Sequence, residues 1–471
     1  MKKIFFILAA MLMATPSFSQ EKCKVIFDLN YEGAPALQEK EVTTGRIIAL
    51  SDKPLPQREG YRFAGWYTDK ACQPEQEWLF GIKNGGYYPP VPLDSMAVNQ
   101  SMRLYARWAE PTHISTAQQL YEVRNDLHGW YVLDNDIDLS EYPDWTPIGE
   151  YEGSYEMADG EWWTKAFKGK LDGQGHEIRN LHLTTGEPYM KALFGSVANG
   201  EICRLTLKDC IIDINAAPLY IAPLAAIIKQ DAGNVMLVQD CNIENLQMKV
   251  TMNLTESGYA AATGLIAGAW NAVIENCQVN GTMETTVAGQ GKGGDLYIGG
   301  ILGEAYCDTR NCTSSLNINT TISADAEETV FIGGLQASGT QVTKSQASGN
   351  ISVSGNPKLT ELYVGGLVGS ERYGTIEECQ SSGIISIKDT PKAQAGGVIG
   401  EFSQKFGSIG AMTGVEKTSL RNCQSSSKLK TENCPSVKWE GISGSGTPEP
   451  IKGFFGPGMS YEIENCTHQE P

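Results

Sequence analysis

Asp134-Asn135-Asp136-Ile137-Asp138 sets three carboxylates at alternate positions, the spacing that opens a calcium-binding loop. Such a loop needs glycine at its sixth position and glutamate at its twelfth. Leu139 and Trp145 stand there, so a strand and turn is expected instead. His176-Glu177-Ile178-Arg179-Asn180 begins like a helical zinc site, but Asn180 occupies the place of the second histidine. Gly289-Gln290-Gly291-Lys292-Gly293-Gly294 is glycine-rich without the Ser or Thr that must follow the lysine of a phosphate-binding loop. The chain has only 5 histidines, and its carboxylates scatter along the sequence without forming a pair suited to acid–base work. No catalytic residue, metal site or cofactor is expected from these residues, and the chain is read as non-enzymatic.

Recognition chemistry is a better fit. Tyr220, Tyr297, Phe331 and Tyr363 each precede an Ile or Val at one position of a long repeat. If the aliphatic residue points inward, strand alternation turns the aromatic outward. The result would be an exposed stripe able to stack on sugar rings, or else a self-stacking ladder. Trp162 and Trp163, in an insertion at Ser154–Lys165, are a second candidate binding site, and the insertion within Gln404–Thr418 is a third.

The elements that must carry these residues follow from the repeat. Glycine-aliphatic segments recur as TGLIAG at 263–268, GGILG at 299–303, GGLQA at 333–337, GGLVG at 365–369, GGVIG at 396–400 and GFFG at 453–456, with a degraded copy, APLAA, at 222–226. A cysteine follows most of them: Cys241, Cys277, Cys312, Cys379, Cys423 and Cys466, with Ser345 at the equivalent place in one unit. A fixed period of this length predicts a solenoid. Each repeat holds three short alternating runs and none long enough for a crossover helix. The expected architecture is therefore all-β: a parallel β-helix with three strands per coil. The six cysteines would form a structural ladder with rungs about 4.8 Å apart, chiefly as reduced thiols, although bridges between neighbouring rungs are sterically open. Ile274, Val342, Ile376, Leu420 and Ile463, three residues before the cysteine position, would stack as an aliphatic row. Ile114 to Leu127 reads as one helix capping the N-terminal end, with Ser115 and Gln118 as its capping box.

Residues 21–110 form a separate unit. Val25-Ile26-Phe27, the Pro54 and Pro56 turn, Gly60-Tyr61, Phe63, Gly65-Trp66-Tyr67 and Leu104-Tyr105-Ala106-Arg107-Trp108 together resemble the internalin-type B-repeat, also called the Listeria–Bacteroides repeat. That resemblance implies a small β-grasp-like domain of bacterial surface proteins, its aromatics forming the core. Cys23 and Cys72 lie in it, and a bridge between them is left open. Further on, Tyr131-Val132-Leu133, Ile137-Asp138-Leu139, Trp145-Thr146-Pro147-Ile148-Gly149 and Phe167-Lys168-Gly169-Lys170-Leu171-Asp172-Gly173 resemble the start of GLUG-motif proteins, and the GG-aliphatic segments resemble the GLUG motif itself. Residues 111–190 would hold the capping helix and first coils, and 191–471 the repeats.

Lys2 and Lys3, the apolar run Ile4 to Ala14 and Ser17-Phe18-Ser19 read as a signal peptide over residues 1–20. No later segment approaches the length of a membrane span. A formal net charge of −18 argues against nucleic acid and anionic lipid as partners. The expectation is a secreted or cell-surface monomer, adhesin-like, binding a glycan or an extracellular protein. The alternatives are a polysaccharide-active lyase or hydrolase on the same scaffold, or a structural stalk.

Overall fold

The computed structural model describes residues 21–469 except 36–37, 49–52, 79, 81–96, 151–164, 186–189, 217–219, 230–235, 255–258, 290–291, 324–326, 356–360, 372–373, 403–416 and 445–459. The leader read at 1–20, Trp162 and Trp163, and nearly all of the insertion at 404–418 lie outside the described residues.

The N-terminal unit is built on a four-stranded sheet in the order Gln38–Thr43, Lys22–Asp28, Met102–Ala109, Arg62–Tyr67. Lys22–Asp28 runs antiparallel to the first of these and parallel to Met102–Ala109. Its sequence KCKVIFD alternates exposed and buried side chains, which places Val25 and Phe27 inside. Phe27 meets Trp66 edge to face at 4.9 Å, and the Trp66 indole N–H donates to the Pro54 carbonyl at 2.9 Å. A unit this small depends on such large buried rings. Cys23 and Cys72 are both free thiols with separate surroundings: Cys23 Sγ lies 3.2 Å from Thr44 Oγ1, and Cys72 Sγ lies 3.7 Å from the Ala106 carbonyl.

From Pro111 onward the chain winds as a parallel β-helix. Pro111–Ile114 pairs with Trp130–Leu133, which pairs with Lys170–Asp172, which pairs with Glu201–Lys208, and so on to Ser460–Glu464, every pairing parallel. Among the described residues these strands form a continuous 28-stranded sheet and a second, 8-stranded sheet running from Met190–Lys191 to Ser436–Glu440. Alternation explains the strands. TSSLNINTTI at Thr313–Ile322 buries every second residue, and its inward side chains join one core that runs the length of the solenoid.

The paired glycines mark the corner between the two sheets, and each member has its own constraint. A Cβ on Gly365 would stand 1.7 Å from the Val368 carbonyl oxygen in its own turn; one on Gly366 would stand 2.0 Å from the Gly397 carbonyl oxygen of the next coil. The pairs 299/300, 333/334 and 396/397 repeat both contacts. A second corner precedes the cysteine position. Asp240, Asn276, Asn311, Lys344, Glu378, Asn422 and Asn465 all adopt left-handed backbone, with φ between 51° and 56°. Asn and Asp tolerate this region best, and the Asn276 amide donates to Asp240 Oδ1 at 3.1 Å across coils.

The helix is shorter than the sequence suggests. Pro111–Ile114 is a strand, Ala117–Glu122 is the α-helix, and Val123–Asn125 continues it as a 3-10 turn. The capping box is Thr116 with Gln119, one residue later than expected. Pairing with the neighbouring coil captures the segment's first residues as strand. Leu120 and Val123 still seal into the main core.

Candidate functional site

The aromatic stripe is corrected first. Tyr297, Phe331 and Tyr363 stand in register on consecutive coils, and Ala261 separates Tyr220 from them. Their rings stack at 5.5 and 5.4 Å, nearly parallel. The four side chains are only 4, 0, 5 and 2 % exposed in the order Tyr220, Tyr297, Phe331, Tyr363. They do point away from the main core, as alternation requires. However, the glycine corner folds the two sheets toward each other there, and Ala226, Ala267 and Ala337 close over the rings as a second apolar cluster. A ring so covered offers no face to a ligand.

Carboxylates rim this ladder. The Tyr297 hydroxyl donates to Asp295 Oδ2 at 3.3 Å, that of Tyr220 donates to Glu304 Oε2 at 3.4 Å, and that of Tyr363 donates to Glu361. Ser370 Oγ donates to Glu401 Oε2 at 3.2 Å. Burial raises the Tyr363 pKa, and the charge of Glu401 raises it further, so this phenol stays protonated. Residues that look scattered in sequence are thus gathered by coil stacking.

The cysteine column is an interior feature. Cys241, Cys277, Cys312, Cys379 and Cys423 are buried and Cys466 is half-buried, all as free thiols. Each thiol donates to the carbonyl two residues before it, for example Cys277 to Glu275 at 3.3 Å and Cys379 to Glu377 at 3.2 Å. Ser345 makes the same bond to Thr343 at 2.9 Å, which explains how a serine fits the column. The aliphatic row beside it is Val342, Ile376, Leu420 and Ile463 in direct register. Thr309 interrupts it between Ile274 and Val342.

The open surface lies one residue further on. After each Cys position the next side chain turns outward, and these residues align across coils as Asn242, Gln278, Thr313, Gln346, Gln380, Gln424 and Thr467. Two residues later a second outward column carries Asn280 and Ser315 in register, then Ser348, Ser382, Ser426 and Gln469. Between the columns runs a groove of about 160 Å³ lined by Gln, Ser, Thr and Ala347, with no titratable side chain. Gln346, Gln380 and Gln424 are exposed, and their side-chain amides bond no protein atom among the described residues. Donors and acceptors therefore face solvent in a row, about 4.8 Å apart. Reading the sequence for aromatics and charges overlooked this surface. Its signal was present as the dipeptides Cys277-Gln278, Ser345-Gln346, Cys379-Gln380 and Cys423-Gln424.

Among the described residues no group of His, Cys, Asp or Glu is arranged to hold a metal ion, and no helix is long and apolar enough to cross a membrane.

Comparison with known proteins places the N-terminal unit: residues 24–87 match the family model of the Listeria–Bacteroides repeat domain. No curated protein matches the chain. Among solved structures, a candidate immunoglobulin A1 protease from Bacteroides ovatus aligns at 17 % identity and a TM-score of 0.38, covering 76 % of this chain and 84 % of that one. A structure named IgA1 protease aligns at 15 % identity and a TM-score of 0.39, covering 79 % of this chain and 23 % of that one. The expectation that the chain is non-enzymatic is corrected on this ground: two solved structures that align with most of it carry protease names. At such scores neither structure's activity passes to this chain.

Proposed function

We propose that this chain is an exported bacterial repeat protein of the GLUG-motif kind, whose β-helix binds an uncharged, hydroxyl-rich polymer along its polar columns. One observation carries the reading: in a protein of net charge −18, the groove beside Gln346, Gln380 and Gln424 has no charged side chain in its described lining, and these amides have no protein partner among the described residues. An amide offers both donor and acceptor, which matches a sugar hydroxyl whichever way it points. The acidic surface repels anionic polymers and leaves neutral ones unaffected. A protein partner fits less well, because protein interfaces rest on aromatic and apolar anchors, and Ala347 is the sole apolar residue of the lining. The Listeria–Bacteroides repeat and the leader read at residues 1–20 both support placement outside the cytoplasm.

Affinity electrophoresis of the full chain through gels containing neutral or anionic polysaccharides tests this. Neutral polymers are expected to retard it, and anionic ones to leave its mobility unchanged. Retardation by anionic polymers alone, or capture of extracellular proteins with none by neutral polysaccharide, would contradict the reading.

A further inference from the structure

The coil spacing makes the proposed ligand more specific. Neighbouring strands of any sheet lie about 4.8 Å apart, so Gln346, Gln380 and Gln424, paired directly in register, repeat at that step along the solenoid axis. One pyranose unit of a fully extended chain advances by close to the same distance. Resting on the reading above, we infer that the polymer lies parallel to the solenoid axis with one sugar per coil, and that the site selects extended, neutral polysaccharides, β-1,4-linked for example, over coiled ones of the same sugar.

Three features support this register. The columns are straight: Gln278 pairs with Thr313, Thr313 with Gln346, and Gln424 with Thr467, each without a register shift. Every position carries a side chain able both to donate and to accept, so alternate sugars can present opposite hydroxyls without loss. The described lining of the groove holds no aromatic platform, so each coil contributes weakly and affinity must accumulate with length. A coiled glycan would drift out of step within two or three coils.

The test is isothermal titration of the full chain with β-1,4-linked gluco-oligosaccharides of increasing length, against α-1,4-linked oligosaccharides of equal length. Affinity is expected to climb with each added β-linked sugar until the columns are filled, then level off. The α-linked series should stop gaining after two or three units. Gln380→Ala, in the middle of the column, should weaken the longest β-linked ligand about tenfold, the scale of one well-placed hydrogen-bonded contact. Circular dichroism of this exposed variant serves as the folding control. If both series bind alike and Gln380→Ala weakens both, the polar face stands as the site and the axial register is overturned. If neither series binds, or Gln380→Ala changes nothing, the inference falls together with the reading on which it rests.

Discussion

Cys379 and Gln380 are neighbours in sequence with opposite fates, one thiol sealed in the core and one amide open to solvent. That single-residue offset, repeated coil after coil, divides a buried structural column from the exposed column proposed to bind. The thiols on the inner side should be chemically quiet. Burial pushes Cys210 and Cys307 up to about 12, and in Cys423 the hydrogen bond with Cys379 together with burial does the same. Thiolate, the reactive form, is then scarce at neutral pH. A colorimetric thiol assay on the native protein should detect chiefly the half-buried Cys434, because the hydrogen bond with Cys423 and burial also raise Cys466, and all twelve only after unfolding. Rapid native labelling of the whole set would show that the column is not a buried core feature. The aromatic residues teach the complementary lesson. Their outward direction was legible from alternation, but their burial depended on the neighbouring sheet folding toward them, and strand periodicity says nothing about the angle between two strands.

At the element scale the corner glycines hold the coil together. Gly365→Ala would drive a methyl group into the Val368 carbonyl oxygen, and Gly366→Ala would drive one into the next coil at Gly397. Each should destabilise the β-helix by about 3 kcal/mol, the upper end for overpacking a tight site, as read from urea unfolding. Gly175→Ala makes a useful contrast: no atom lies within 4 Å of its added Cβ, so only the strain of its φ of +86° remains. Equal effects at 175 and 366 would remove coil stacking as the explanation. The repeated glycines and the aliphatic row, apart from Thr309, were legible from spacing alone. The helix limits were not, because Pro111–Ile114 pairs with Trp130–Leu133, and that partner enters only with the next coil.

For the whole molecule, ion pairs near the N-terminal coils link stability to pH. Burial pushes the Asp172 carboxyl up, but hydrogen bonds from Arg204 and from the Gln174 N–H outweigh it and hold the group below the ordinary range. Asp144 behaves alike: burial raises it, while hydrogen bonds from Thr184, Thr185 and the buried Lys191, at 3.1 Å, bring it down. A carboxyl whose folded pKa is depressed adds stability that is complete above its unfolded value of 3.8 and is lost as the pH falls through the folded one. Thermal unfolding should therefore be insensitive to Asp172 ionisation from neutrality to about pH 5, then fall steeply below about pH 4. Asp172→Asn should be less stable at neutrality and lose less on acidification. A parallel pH profile for the variant and the parent would contradict that assignment.

The account stands or falls on the polar columns. Its most direct test is the affinity of the full chain for a neutral β-linked polysaccharide, measured beside a Gln346→Ala/Gln380→Ala/Gln424→Ala variant whose melting temperature matches the parent. The account predicts measurable binding by the parent and loss of most of it in the variant, with little dependence on salt because no charge takes part. Equal binding by the two proteins, or binding that salt abolishes, would place recognition elsewhere on the molecule.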